Sequence, residues 1–369
     1  MTAAAITKGL EGVEVDETSI SLVDGAKGEL SYRGINIDAL VEQPFDAVAA
    51  LVATGRSDPA FAARLAASAE LSQREATMIL SLPRELHPMH VLQGVTPMLD
   101  RNDAFADFGD AAQGFNIAAK LPAIIATHML ARVPTSYPNL GHTDRFLAQI
   151  DAPQTPIARH AFEVTQILQI EHSFNASSFA ARVTASTLAP VENALSAGFG
   201  TLHGKLHGGA DQAALEVAES VATPTNANAF VDRCIDERTK VMGMGHREYK
   251  VLDPRARHIK ALAAELCKGT PHEVTFHTLV AIENRFRERM ADKGKSLHAN
   301  VEFYKGVVYR VLGMTPAFFT TGFSMARVFG YVAHFIESRQ DNRLIRPKAR
   351  YVGPPVEDAG RARTPPTPA

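Results

Sequence analysis

Residues 240–256, KVMGMGHREYKVLDPRA, hold the densest chemistry in the chain. Gly243 and Gly245 leave the backbone open to close approach by another group. His246 follows at once, and an imidazole exchanges protons near neutral pH. Arg247, Lys250 and Arg255 add positive charge, and Asp253-Pro254 reads as a turn. This is the make-up of a loop that grips an anion while presenting an imidazole to it. It is not a dinucleotide fingerprint. The glycines continue as GxGxxE, and the preceding DRCIDERTK is charged and helical rather than a buried strand. A glycine connector beside a surface histidine has the same spelling, so the chemistry must be supported from elsewhere.

Five other stretches bear on it. Glu171-His172-Ser173-Phe174-Asn175 interrupts an apolar helical pattern with polar groups; a buried histidine satisfied by a neighbour is the plain alternative. TLHGKLHGGA, residues 201–210, sets His203 and His207 four apart, the spacing of a metal pair on a helix. No glutamate lies between or just beyond them and no cysteine is near, so Gly204, Gly208 and Gly209 point instead to a helix end whose backbone and His207 face a cavity. NVEFY, residues 300–304, embeds Glu302 among Val301, Phe303, Val307 and Val308. Apolar surroundings favour the protonated carboxyl and suit a general base; a glutamate held at a helix N-terminus by the dipole is the alternative. Arg327 stands among Phe323, Tyr331 and other apolar residues, and if buried it needs an anion. Arg343, Arg346, Lys348 and Arg350 form a basic run, ordinarily a solvated face, stiffened by Pro347.

The inventory is two or three histidines, one carboxylate and several arginines. No nucleophilic serine or cysteine, cofactor loop or metal cage stands out. Such a set suits proton abstraction next to a carbonyl in a small polycarboxylate.

These groups need elements to carry them, and the spacing is mainly α-helical. Strand signals are confined to the first 35 residues or so: Val13-Glu14-Val15 and Ser19-Ile20-Ser21-Leu22-Val23 alternate, and Asp24-Gly25 supplies a turn. Helical spacing then covers 38–53, 58–71, 72–82, 89–100, 104–132 with a break, 143–150 and 155–188. It resumes over 211–222, 228–240, 254–268, 270–293 and 301–312. A last long helix begins at Thr315-Pro316, threonine as N-cap and proline at N1, and runs to about Arg339. The small residues at the end of 155–188 let helices approach closely, as at a central or subunit-interface helix. Proline-rich linkers lie at 83–88 and 133–139, and five prolines in 353–369 mark a disordered tail.

Composition narrows the class. The 369 residues suffice for one large domain or two. A net charge of −2 provides no global field for nucleic acid or an acidic membrane. Cys234 and Cys267 are too few for a disulfide framework, as in a reducing cytoplasm. The first twenty residues lack the apolar core of a signal peptide, and no apolar run reaches the length of a membrane span. A cytoplasmic protein without a membrane or nucleic-acid partner is expected.

In this order, EHSFNAS, LHGGAD, GMGHREYKVLDPRA, NVEFY, FSMARVFGYVAH and RLIRPKARYVG resemble the citrate synthase family, over about residues 10–352. The resemblance implies an almost wholly helical, two-domain fold with a short N-terminal β segment. The large domain would comprise 1–208 and 321–352, the small domain 209–320, and the chain would form a homodimer. Family members condense acetyl-CoA with oxaloacetate, or propionyl-CoA in the 2-methylcitrate branch, then hydrolyse the thioester. CoA is substrate and product; no permanent cofactor or metal is implied. Carried over, His207 would stabilise the enol or enolate, Glu302 would take the acyl α-proton, and His246 would polarise and protonate the oxaloacetate carbonyl. His172, Arg255, Arg327 and Arg346 would hold oxaloacetate, Arg346 from the other subunit. Lys240, Val241, Met242, Gly243, Met244 and Lys250 would contact CoA. Two departures stand out: Glu302 where aspartate is common, and Lys205 where proline or a small residue is common. They motivate a reading from another class, a non-catalytic relative that binds CoA or a polycarboxylate.

Overall fold

The computed structural model describes residues 6–246 and 248–354, with the backbone alone at 210 and 211. A three-stranded antiparallel sheet comes first: β1 (Ser21–Asp24), β2 (Glu29–Tyr32) and β3 (Ile35–Asn36), with Ser21 opposite Tyr32 and Asp24 opposite Glu29. Helices account for the rest. They are α1 (Ile37–Leu40), α2 (Phe45–Thr54), α3 (Phe61–Ser68), α4 (Gln73–Leu80), α5 (Pro88–Val95), α6 (Ala112–Leu130), α7 (His142–Gln149) and α8 (Pro156–Ile167). There follow α9 (Ala176–Ser186), α10 (Val191–Leu202), α11 (Ala210–Val221), α12 (Ala227–Asp236), α13 (Pro254–Cys267), α14 (Glu273–Ala291), α15 (Val301–Val311) and α16 (Phe319–Gln340).

Local chemistry starts these helices. Ser72 accepts from the Glu75 amide while Glu75 accepts from the Ser72 amide, a capping box that opens α4. Thr155 caps α8 and Asp253 caps α13, each followed by proline at N1. Burial arranges them. α6 is buried from Gln113 to His128 and α16 from Phe319 to Phe335. A helix apolar on all sides belongs inside, and α16 packs against α2, α6, α9 and α10. At Gly330 it crosses so near the turn after α8 that a Cβ would stand 2.4 Å from the Ile170 carbonyl oxygen.

Several sequence expectations need correction. Val13–Val15 is not a strand: it is exposed and pairs with nothing among the described residues. The single helix expected over 155–188 is two, α8 and α9, separated by a turn at 168–175. Ser173 adopts φ 52° there, Asn175 caps α9, and the Tyr32 hydroxyl donates to the carbonyls of Ile167 and Glu171. These tertiary bonds replace the helical ones. Helical spacing expected over 89–100 ends as α helix at Val95 and continues only as a 3-10 turn. The break in 104–132 falls at Gly109, φ 53°. The expected helix 228–240 stops at Asp236, because Arg238 takes φ 57°. Residues 191–202, to which spacing assigned no helix, form α10. The proline-rich tail from 355 onward lies outside the described residues.

Candidate active site

Most of the singled-out side chains come together where three chain segments converge: the turn between α8 and α9, the loop before α13, and the start of α15. His172 on the first and His246 on the second place their ring centroids 5.5 Å apart. Tyr249 joins them, its hydroxyl 3.1 Å from His172 Nε2 and its ring 4.8 Å from that of His246. Burial first, then the charges of Arg255, His246 and Arg327, hold His172 well below the ordinary imidazole range.

The tautomer of His246 follows from its bonds. Nδ1 accepts from the backbone amides of Glu248 and Tyr249 at 3.0 and 3.3 Å, so a neutral ring carries its proton on Nε2. Arg255 Nη2 stands 3.3 Å from that Nε2. The Nε2–H of His246 and the guanidinium of Arg255 are thus neighbouring donors. Burial and then Arg255 lower the His246 pKa, against the opposing charges of Asp253, Glu302 and Glu248.

Arg255 is itself fixed by Asp253. The buried carboxylate accepts from Arg255 Nε at 3.0 Å and Nη2 at 2.9 Å, and from the Arg255 and Val301 amides at 3.0 and 3.1 Å. Burial disfavours both charges, but each is outweighed by the partner: Asp253 stays below the usual carboxylate range and Arg255 is raised. The sequence pattern presents Asp253 only as a turn residue. Its position two before Arg255 at an N-cap was the available signal.

The third segment is stitched to the second. Met244 and Ala299 form an antiparallel bridge, the Gly245 amide donates to the His298 carbonyl at 2.8 Å, and the Asn300 amide donates to the Gly243 carbonyl at 3.0 Å. Asn300 Nδ2 donates to the Gly245 carbonyl at 3.1 Å, while its Oδ1 caps Glu302. Gly243 has φ 77°, and a Cβ there would meet the Phe303 ring at 2.7 Å. Glu302 stands half-buried in the first turn of α15 while Val301, Phe303, Val307 and Val308 turn into the core. Its charge acts on both His207 and His246.

His207 sits between α10 and α11, Nε2 2.7 Å from Ser177 Oγ. Asn175 Oδ1 already accepts from the amides of Ser177 and Ser178. The Ser177 hydroxyl itself donates to Asn175 Oδ1 at 2.8 Å. Burial, then Arg327 and Lys305, push the His207 pKa down to about 4 against the pull of Glu302. His203 turns away and stacks on His87 at 4.3 Å, so the His203–His207 pair does not converge. Among the described residues no group of three histidine, cysteine, aspartate or glutamate side chains could hold a metal ion.

Arg327 is buried on α16. Nε donates to the Gln169 carbonyl at 2.8 Å, and the guanidinium lies 4.7 Å over the Phe323 ring. Nη1 has no partner among the described residues. Lys305, also buried, donates to Gln169 Oε1 at 2.7 Å; sequence reasoning passed it over, although it directly follows NVEFY. Three expected residues stand outside this cluster within one chain. Arg346 is exposed in the extended segment after α16 and makes no hydrogen bond or ion pair with a described residue. Lys250 is exposed, its amide donating to the Gly25 carbonyl at 2.9 Å. Lys240 is exposed too, whereas Val241 is buried. Near the Met244–Ala299 bridge a cavity of about 570 Å³ is lined by Arg287, Lys295 and His298, among others.

The profile of the citrate synthase C-terminal domain matches residues 9–348. The chain belongs to the citrate synthase family. Citrate synthase of Deinococcus radiodurans is 32% identical over 94% of this chain and 96% of that protein. The 2-methylcitrate synthase 2 of Corynebacterium glutamicum is also 32% identical, over 95% and 96%. In three dimensions the chain resembles citrate synthase of Thermoplasma acidophilum, solved as a ternary complex with carboxymethyl coenzyme A and oxaloacetate. That likeness has a TM-score of 0.86 at 26% identity and covers 96% of this chain and 98% of that one. The citrate synthase family is one of condensing acyltransferases, and the mainly helical fold with a small N-terminal sheet agrees with it. No helix among the described residues is long and apolar enough to cross a membrane.

Proposed function

We propose that this member of the citrate synthase family condenses acetyl-CoA with oxaloacetate, giving citrate and free CoA. One observation carries the proposal. The buried His172 and the half-buried His207, His246 and Glu302 lie within electrostatic reach of the buried guanidinium groups of Arg255 and Arg327, the second with an unsatisfied Nη1. Arg255 already has Asp253, whereas Arg327 has no ion-pair partner among the described residues; a buried cation of that kind requires an anion, and arginine suits planar carboxylates.

The steps assign each group one task. Glu302 takes a proton from the acyl α-carbon, and the electron pair moves to the thioester oxygen. A ring N–H of His207 donates to that oxygen; a neutral donor avoids a permanent charge there, in keeping with its lowered pKa. The enolate carbon attacks the carbonyl carbon of oxaloacetate. The Nε2–H of His246 polarises that carbonyl and gives its proton to the new alkoxide. His172, Arg255 and Arg327 hold oxaloacetate, with Arg346 contributed by a second copy in a homodimer. Water then cleaves the thioester and CoA leaves. The loop containing Lys240, Val241, Met242, Gly243 and Met244, together with Lys250, would contact CoA. Residues 209–320 would be a small domain whose closure excludes water from the enolate.

The test is release of free thiol on mixing enzyme, acetyl-CoA and oxaloacetate. Turnover requiring both substrates is expected. No thiol release with either acetyl-CoA or propionyl-CoA would refute it and favour a non-catalytic binder. Equal identity to a 2-methylcitrate synthase supports a second reading, with propionyl-CoA as donor. One methylene is worth about 1–3 kcal/mol in an apolar pocket, so kcat/KM for the two thioesters separates them.

A further inference from the structure

The N-terminal β hairpin touches two of the three segments that form the site. On one side, Ser21 Oγ donates to Glu171 Oε1 at 3.1 Å and accepts from the Ser173 amide at 3.0 Å, on either side of His172. Tyr32, opposite Ser21 on β2, donates to the Ile167 and Glu171 carbonyls. On the other side, the β1–β2 turn lies directly on the loop that carries His246. The Lys250 amide donates to the Gly25 carbonyl at 2.9 Å, and a Cβ on Gly25 would stand 2.2 Å from the Glu248 carbonyl oxygen. At Gly28 a Cβ would meet Val251 at 2.7 Å and the Leu252 oxygen at 2.9 Å. Gly28 also needs its positive φ of 69°, whereas Gly25 has no such requirement. Only the closeness of the loop demands glycine at 25.

We propose that this hairpin is a positioning element that sets the separation of His172 and His246, with Ser21 and Gly25 its two working contacts. Residues 172 and 246 are 74 positions apart, and the Tyr249–His172 bond joins their segments within the site. The hairpin braces the same two segments from outside. Ser21 holds the Glu171 side chain and the Ser173 amide, one residue to either side of His172, and the turn lies on Glu248 to Leu252, shortly after His246. Neither residue touches substrate in the reading above, on which the proposal's kinetic consequences rest. Separating the turn from the loop by about 1 Å is the kind of misplacement that can cost about 10²-fold in rate.

The test uses Gly25→Ala, Ser21→Ala and Ser21→Thr in the full chain. Gly25→Ala should shift the side-chain NMR signals of both His172 and His246 in the absence of substrate. It should lower kcat/KM for oxaloacetate by about 10²-fold. Ser21→Ala should shift the His172 signals and weaken oxaloacetate binding about tenfold, for the loss of bonds to a charged group and an amide. Ser21→Thr, which keeps the hydroxyl, should restore both. Unshifted imidazole signals in Gly25→Ala and Ser21→Ala would overturn the proposal, as would a loss of oxaloacetate binding in Ser21→Ala that threonine does not rescue. Should Gly25→Ala not fold, the Ser21 pair decides alone. Imidazole signals that respond in a chain without condensing activity would uphold the hairpin's role and defeat only the assigned reaction.

Discussion

Asp253→Asn isolates the ion pair at the centre of the site. The side chain keeps its shape, but one oxygen becomes an NH₂ group. In the native arrangement Oδ1 receives the Arg255 amide and Nε, while Oδ2 receives Arg255 Nη2 and the Val301 amide. Asparagine can serve only one of these pairs; the other two donors then face an NH₂ group. Arg255 is left buried without its counter-charge, a loss of about 3–5 kcal/mol when one partner of a buried pair is removed. Arg255 and α15, which carries Glu302, lose a common anchor, so oxaloacetate KM should rise and kcat should fall. The pH dependence follows from the depressed pKa of Asp253. A carboxylate whose folded pKa lies below its unfolded value of about 3.9 stabilises the fold above that pH. The contribution fades as pH falls through the folded pKa. Urea unfolding at pH 7 and pH 3 should therefore show a large gap between native and variant chains at pH 7 and a smaller one at pH 3. A variant within about 1 kcal/mol of the native chain at pH 7 would refute the reasoning, since it would mean the pair carries little of the buried charge.

Other expected outcomes concern chemistry and charge. Glu302→Gln should cut turnover by at least about 100-fold, the scale of a general base, with oxaloacetate binding by calorimetry retained; near-normal turnover removes Glu302 from that role. Mixing Arg346→Ala subunits with Glu302→Gln subunits should regain one working site per mixed dimer, measured as recovered thiol release; no recovery with mixed dimers confirmed excludes action across the interface. Stability should fall as pH drops below about 6.5, the unfolded histidine value. His207 and His142 are held down to about 4 and about 3, His172 well below its ordinary value, so the unfolded chain takes up protons that the folded chain does not. Each such histidine contributes a loss approaching about 1.4 kcal/mol per pH unit. Asp46, raised to about 6 by burial, opposes the trend between about pH 4 and 6. Urea midpoints unchanged between pH 7 and 5 would contradict those buried, neutral rings.

The amino-acid sequence by itself determined the helical class, because periodic apolar spacing is local and survives without knowledge of neighbours. It also offered candidates for the site. His207, His246 and Glu302 were legible as unusual groups in short motifs, and the order of those motifs pointed to the family. Tertiary structure alone decided the rest. The turn at 168–175 reads as helix until Tyr32 from the sheet takes the carbonyls of Ile167 and Glu171. Asp253 reads as a turn until its carboxylate is seen between Arg255 and the start of α15. Ser177 and His207, 30 residues apart, meet only because the turn after α10 returns to α9. Protonation was beyond the sequence for the same reason: burial and neighbouring charge set it, and both come from segments distant along the chain.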